Sequence, residues 1–139
     1  MHIGVSERSG YGVADARLGA RWMVERARAA RDAGLESLFL GEHHSTGGIY
    51  YQNVPMLGRV LAEWGDRPAG APFLLPLWHP VLLAEQVGTL ASRTSGQFIL
   101  QCALGGGADQ FAGMGVPLRG RAAQFESTLD VLRRLLAGE

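Results

Sequence analysis

Short apolar runs alternate with longer stretches whose apolar residues recur every three or four positions, and this alternation sets the expected elements. His2–Ser6 predicts a first strand, and Glu7–Asp15 a loop with turn residues at Ser9-Gly10-Tyr11-Gly12. Leu18–Ala33, rich in Ala and Arg, predicts a helix closed by Gly34. Leu38–Gly41 predicts the second strand and Ser45–Tyr51 a loop. Gln52–Trp64 predicts a helix with Pro55 in its first turn and Gly65 beyond it. Pro72–Leu77 predicts a third strand closed by Trp78-His79-Pro80, followed by a helix over Val81–Ser92. Gln97–Leu104 predicts a fourth strand, with Gly105-Gly106-Gly107 after it and an irregular or partly helical stretch over Ala108–Leu118. Arg121–Leu136 predicts the last helix, with Phe125, Leu129, Leu132 and Leu136 forming one buried stripe.

The order is strand then helix, four times. Such alternation implies right-handed crossovers and a parallel sheet with outer helices. Two architectures fit: a doubly wound open sheet, or four units of an eight-unit barrel. A full barrel needs about 250 residues, so the 139 residues here would supply half of one.

Composition narrows the chemistry. Apolar residues make up 47% and charged residues 19%, an ordinary globular balance with a net charge of +0. That gives no footing for nucleic acid or an anionic membrane as partner. The 13 basic residues are all Arg, which excludes Schiff-base lysine chemistry and a phosphate-loop lysine. Cys102 is the single cysteine, so no intramolecular disulfide is expected. Met1–Val5 does not read as a signal peptide, and no apolar run reaches the roughly 20 residues of a membrane span. The expected location is the cytoplasm.

The candidate chemistry gathers after the second strand, where Leu38-Phe39-Leu40 stops at Gly41 and Glu42, His43 and His44 follow. In parallel α/β enzymes the ligand crevice lies at the carboxyl ends of the strands. Successive strand residues face opposite ways, so His43 and His44 cannot share one metal from a regular strand. A general acid/base or a hydrogen bond to a bound ring suits a histidine better, and capping of strand-end backbone groups is the plainer alternative. At Ala71-Pro72 an X-Pro bond could turn cis and form a flat ledge, against the commoner trans proline entering a strand. His79-Pro80 either shapes the rim or punctuates a helix start. Cys102 reads as a buried small hydrophobe, with no neighbouring cation to activate its thiol. The Gly105–Gly107 run could cradle phosphate or serve as a rim loop.

Several segments, in order, resemble the luciferase-like family of flavin-dependent oxidoreductases. They are Glu42-His43-His44, Leu75-Pro76-Leu77-Trp78-His79-Pro80-Val81, Ser95-Gly96-Gln97-Phe98-Ile99-Leu100, and Phe111 with Gly115-Val116-Pro117, Arg121 and Phe125. The resemblance implies one luciferase-like domain over residues 1–139, the N-terminal (β/α)4 half of a TIM barrel. It implies FMN or coenzyme F420 as cofactor and a small-molecule substrate. His43 would be the catalytic acid/base, with Glu42, Ala71, Pro72, His79 and Cys102 lining the cofactor. Ala103 departs from the arginine that luciferase subunits carry near the phosphate. The missing second half would be supplied by self-association or by a second half-barrel chain. Two other readings stand beside this one: a non-catalytic half-barrel fragment or interaction subunit, and a metal-dependent barrel hydrolase using Glu42, His44 and His79.

Overall fold

The computed structural model describes all residues, 1–139. The elements are β1 (Gly4–Glu7), α1 (Ala16–Asp32), β2 (Ser37–Leu40), α2 (Asn53–Trp64), β3 (Ala69–Leu74), a 3-10 turn (Leu75–Leu77), α3 (Pro80–Ala91), β4 (Phe98–Ala103), α4 (Ala108–Gly113) and α5 (Arg121–Leu136). The strands form one sheet in the order β1-β2-β3-β4, every pair parallel. Four β/α units in sequential order are half of a (β/α)8 barrel, the one of the two architectures left open by the sequence pattern that the family resemblance implies. No helix is long and apolar enough to cross a membrane.

The helices start and stop for local reasons. Asp15 caps α1, its carboxylate accepting a hydrogen bond from the Arg17 N–H at 2.9 Å. Gly34, at φ +81°, turns the chain out of α1 towards β2, a conformation that suits glycine. On α2, Met56, Leu57, Val60, Leu61 and Trp64 form a buried stripe at helical spacing. They meet Leu38, Leu40, Ala69, Ala71 and Phe73 from the outer face of the sheet, each fully buried. Burying each leucine- or phenylalanine-sized side chain contributes about 1.5–3 kcal/mol, which makes this layer the main stabilising body of the fold.

Strand alternation then decides the inner face. Phe39, Gly70, Pro72, Ile99, Gln101 and Ala103 lie on the side away from the helices. Pro72, Ile99 and Ala103 are half-buried there, and Gln101 is exposed.

The third strand departs from expectation. It begins at Ala69, not Pro72, and ends at Leu74, where Leu75–Leu77 tighten into the 3-10 turn. Ala69-Gly70-Ala71 carries little strand propensity by composition; close packing against β4 holds it extended. A Cβ on Gly70 would fall on the Ile99 carbonyl. Pro72 is therefore inside a central strand. It is tolerated because β2 pairs with β3 only at Leu38–Ala69 and Phe39–Gly70, so no partner awaits a donor at position 72. The peptide bond before Pro72 is trans, like every other in the chain. In α5, Thr128 and Leu132 are buried and Phe125 and Leu129 pack against the core, but Leu136 is 47% exposed, so the expected stripe ends early.

Replacing Gly70 by Ala is expected to lower the free energy of unfolding by about 1–3 kcal/mol, as overpacking does. Gly88→Ala, in the middle of α3 with open space around it, is expected to raise it by about 0.5–1 kcal/mol. Urea unfolding of both variants checks the contrast.

Candidate active site

Past Phe39 and Gly70 the second and third strands separate, and side chains fill the gap between them. The Glu42 side chain is 0% exposed. Its carboxylate accepts hydrogen bonds from the Leu74 backbone N–H and from Trp78 Nε1, the latter at 2.6 Å. Asn53, the first residue of α2, donates its Nδ2 to the Pro72 carbonyl at 2.9 Å. Glu42 and Asn53 thus complete the edge of β3 that β2 has left. Buried N–H groups without partners cost about 1–3 kcal/mol each, which explains a carboxylate at this depth. Glu42, expected to line the cofactor, is held by donors of the protein itself.

His44 shares this interior. Its side chain is 13% exposed, and its Nε2 lies 3.3 Å from Glu42 Oε1 without hydrogen-bond geometry. Its backbone N–H donates to Gln110 Oε1 at 2.8 Å, and Gln110 Nε2 donates to the Gly106 carbonyl at 2.9 Å. Buried Gln110 therefore ties the loop after β2 to the loop after β4. Nothing but its position in a short amphipathic segment marks it in the sequence.

With Glu42 turned inward, its neighbour His43 is turned outward and exposed. The His43 and Tyr50 rings lie 5.9 Å apart, centroid to centroid, at 50°. The His43 carbonyl accepts a hydrogen bond from Gln52 Nε2 at 3.2 Å. A groove of about 410 Å³ opens beside them, and Arg8 and Tyr11 from the loop after β1 reach the same space. Two backbone bonds join the β1 and β2 loops beneath it, Tyr11 N–H to the Ile49 carbonyl (3.3 Å) and Tyr51 N–H to the Ser9 carbonyl (2.9 Å). Arg8, Tyr11 and Tyr50 were not singled out by the residue pattern. The available signal was that both loops follow strand ends and carry turn residues beside a tyrosine.

The other expected residues scatter. His79 is exposed and lines a second groove of about 300 Å³ with His44, Trp78, Asn53, Leu82 and Met114. It does not meet His43. Ala71 is buried in the core under the helices, so only its backbone could face a ligand. Cys102 pairs in register with Phe73, on the helix side of the sheet, while Pro72 pairs with Gln101 on the inner side. Cys102 and Pro72 thus point to opposite faces, and the inward position at this end of β4 is Ala103. Cys102 is exposed, and partial burial pushes its pKa up, the wrong direction for a reactive thiolate. Cys102 therefore does not share a hollow with Pro72. No three His, Cys, Asp or Glu side chains converge where one metal ion could sit.

A second buried acid lies at the base of the β1 loop. Glu7 is buried on the helix side of β1; Tyr11 Oη donates to its Oε1 at 3.3 Å, and Arg26 Nη1 donates to Tyr11 Oη at 2.8 Å. Glu7 Oε2 has no partner. Desolvation pushes its pKa up from 4.5 to about 7, against the opposing pull of Tyr11 and Arg26.

Four parallel strands in sequential order, with a histidine-bearing groove at the carboxyl ends of the first two, define the α/β class of the (β/α)8 barrel. The chain belongs to the luciferase-like monooxygenase family, whose model matches residues 1–139. It is 26% identical over 140 residues to an F420-dependent glucose-6-phosphate dehydrogenase of Nakamurella multipartita, covering 95% of this chain and 41% of that protein. It is 32% identical over 108 residues to limonene 1,2-monooxygenase of Rhodococcus erythropolis, covering 76% of this chain and 28% of that one. The chain therefore spans less than half the length of these relatives. Among solved structures it superposes on the oxygenating constituent of 3,6-diketocamphane monooxygenase from Pseudomonas putida, in complex with FMN. That match has a TM-score of 0.83 at 20% identity, covering 95% of this chain and 38% of the other.

Glu42→Ala is expected to destabilise the protein by several kcal/mol, because two buried donors lose their acceptor at about 1–3 kcal/mol each. Glu42→Gln, which keeps one acceptor, is expected to cost less; thermal unfolding followed by circular dichroism checks the order. For Glu7, folding raises the pKa, so the folded state holds a proton that the unfolded chain has released. Stability is therefore expected to fall as pH rises from about 4.5 to about 7. Glu7→Gln is expected to remove that fall and to raise the midpoint temperature at pH 8 more than at pH 5.

Proposed function

We propose that the chain is the N-terminal (β/α)4 part of a flavin-dependent oxidoreductase or monooxygenase working on a small molecule, with FMN or coenzyme F420 as cofactor. The observation that carries this reading is His43. It is held outward at the carboxyl end of β2 by the inward anchoring of Glu42, in a groove with Tyr50, in a chain of the luciferase-like family. The names of two relatives support the cofactor class: one dehydrogenase is F420-dependent, and one monooxygenase was solved with FMN.

The inner face of β3 and β4 offers a low surface for a planar ring. Gly70 and Pro72 lie beside Ile99 and Gln101, and Leu74, opposite Ala103, is the one long β3 side chain on this face. Such a ring is a poor fit to the outer face, which the helices cover. The bound cofactor would supply the hydride or oxygen chemistry. The chain's own part would be fivefold. His43 donates or accepts a proton at the reacting atom. Tyr50 holds the His43 ring from one side. Glu42 and Trp78 act as positioning residues that fix the β2 and β3 ends. Pro72 and Gln101 bound the ring face. His79 would shape the neighbouring rim. Completion of the barrel by further strands, from the same or another chain, would close the unpaired edges of β1 and β4, and the working location would be the cytoplasm.

Titration of the purified protein with FMN and with F420, followed by fluorescence, is expected to show saturable binding of one of them. His43→Gln is expected to retain that binding and to lower turnover by about 10²–10⁴-fold. Absence of saturable binding to both cofactors overturns the reading.

A further inference from the structure

The groove beside His43 has a one-sided chemistry. Arg8 lines it, exposed, and takes part in no ion pair or side-chain hydrogen bond. Most arginines that touch acids in this chain do so on the helix layer: Arg28 and Arg59 hold Glu63 at 2.8 and 2.7 Å. None of the residues lining the groove is acidic. Glu7, next to Arg8 in sequence, is turned to the opposite side of the strand, towards Tyr11 and Arg26.

The guanidinium also has a defined place. A Cβ on Gly10 would stand 3.9 Å from Arg8 Nε and 3.3 Å from Cδ2 of Tyr50. Arg8 Nε and the Tyr50 ring therefore both border Gly10, and the His43 ring lies 5.9 Å from the Tyr50 ring. The Tyr50 hydroxyl points out of the groove towards Ser9 and Gly41, and burial raises its pKa. The groove thus presents the Tyr50 ring, one unpaired guanidinium and one imidazole, while the Tyr11 ring at its border packs on Arg26, Trp22 and Tyr51. Guanidinium forks match carboxylate and phosphate oxygens, and such charge-assisted bonds are the strong ones.

We propose that this groove is the substrate pocket and that it selects organic oxyanions, a carboxylate or phosphate borne on an apolar or ring-shaped body, with Arg8 as the specificity-determining residue. The inference rests on the reading of His43 as the group at the reacting centre. Arg8 holds the charged end, Tyr50 and Ile49 cover the body, and His43 meets the uncharged part where chemistry occurs. A volume of about 410 Å³ suits a compact molecule of this kind.

The test is calorimetric titration of the purified protein with benzoate, phenyl phosphate, inorganic phosphate and the neutral benzamide, repeated on Arg8→Gln. Benzoate, phenyl phosphate or both are expected to bind saturably and to shift the His43 imidazole resonances. Benzamide and inorganic phosphate are expected to bind at least about tenfold more weakly, and Arg8→Gln to lose about tenfold in affinity for the anions alone. Which of the two aryl anions binds tells carboxylate from phosphate selection, and either result supports the proposal. Benzamide binding as tightly as benzoate overturns it, as does inorganic phosphate matching phenyl phosphate, unchanged anion affinity in Arg8→Gln, or no saturable binding of either aryl anion. FMN and F420 titrations on the same variant separate the two readings. Cofactor affinity falling with anion affinity assigns Arg8 to the cofactor and overturns this inference while the proposed function stands. Anion binding without any cofactor binding in the unaltered protein removes the proposed function instead.

Discussion

The Glu42 carboxylate, buried between the ends of β2 and β3, is the interaction on which the rest of the rim depends. The two strands pair only briefly, and beyond Gly70 the β3 backbone has no strand on that side. Glu42 takes the Leu74 N–H and the Trp78 indole, and Asn53 takes the Pro72 carbonyl. The cost of burying a carboxylate is offset by two direct donors, one from the backbone and one from an indole. The orientation of His43 follows, since adjacent residues in extended chain face opposite ways.

That arrangement separates two jobs within three consecutive residues. Glu42 holds strands together, His43 faces the groove, and His44 turns back inside, its backbone fastened through Gln110 to the glycine loop after β4. The end of β2 is therefore joined to β3 and to the loop after β4 by polar side chains, whereas β3 and β4 stay paired to Leu74 and Ala103. A rim built in this way can keep an exposed histidine in a defined place although it sits on a loop. The β1 loop is joined to the same rim by backbone bonds at Ser9 and Tyr11, which brings the Arg8 guanidinium to the groove from a distant part of the chain.

The comparison of pattern with structure is most instructive in the central strands. Hydrophobic runs located β2 and β4 to within a residue or two, because both strands carry bulky side chains on their helix-facing side. They misplaced the start of β3, because Ala69-Gly70-Ala71 is extended only through tight contact with β4. A shift of one position in β4 also decides which side chain faces inward: Ala103 does, and Cys102 does not. Side-chain parity is a property of pairing register, and no reading of a single strand supplies it.

From residue order alone came the four alternating units, the parallel sheet, the family resemblance and the importance of the segment after the second strand. These depend on local periodicity and on short motifs, which the chain carries in linear form. Tertiary structure alone assigned Glu42 to the interior and His43 to the groove, put His79 in a different groove, and brought Arg8 and Tyr50 to one groove. Those outcomes depend on where strands diverge and which loops meet, and the physical cause is pairing between residues far apart in the chain, to which local spacing is blind.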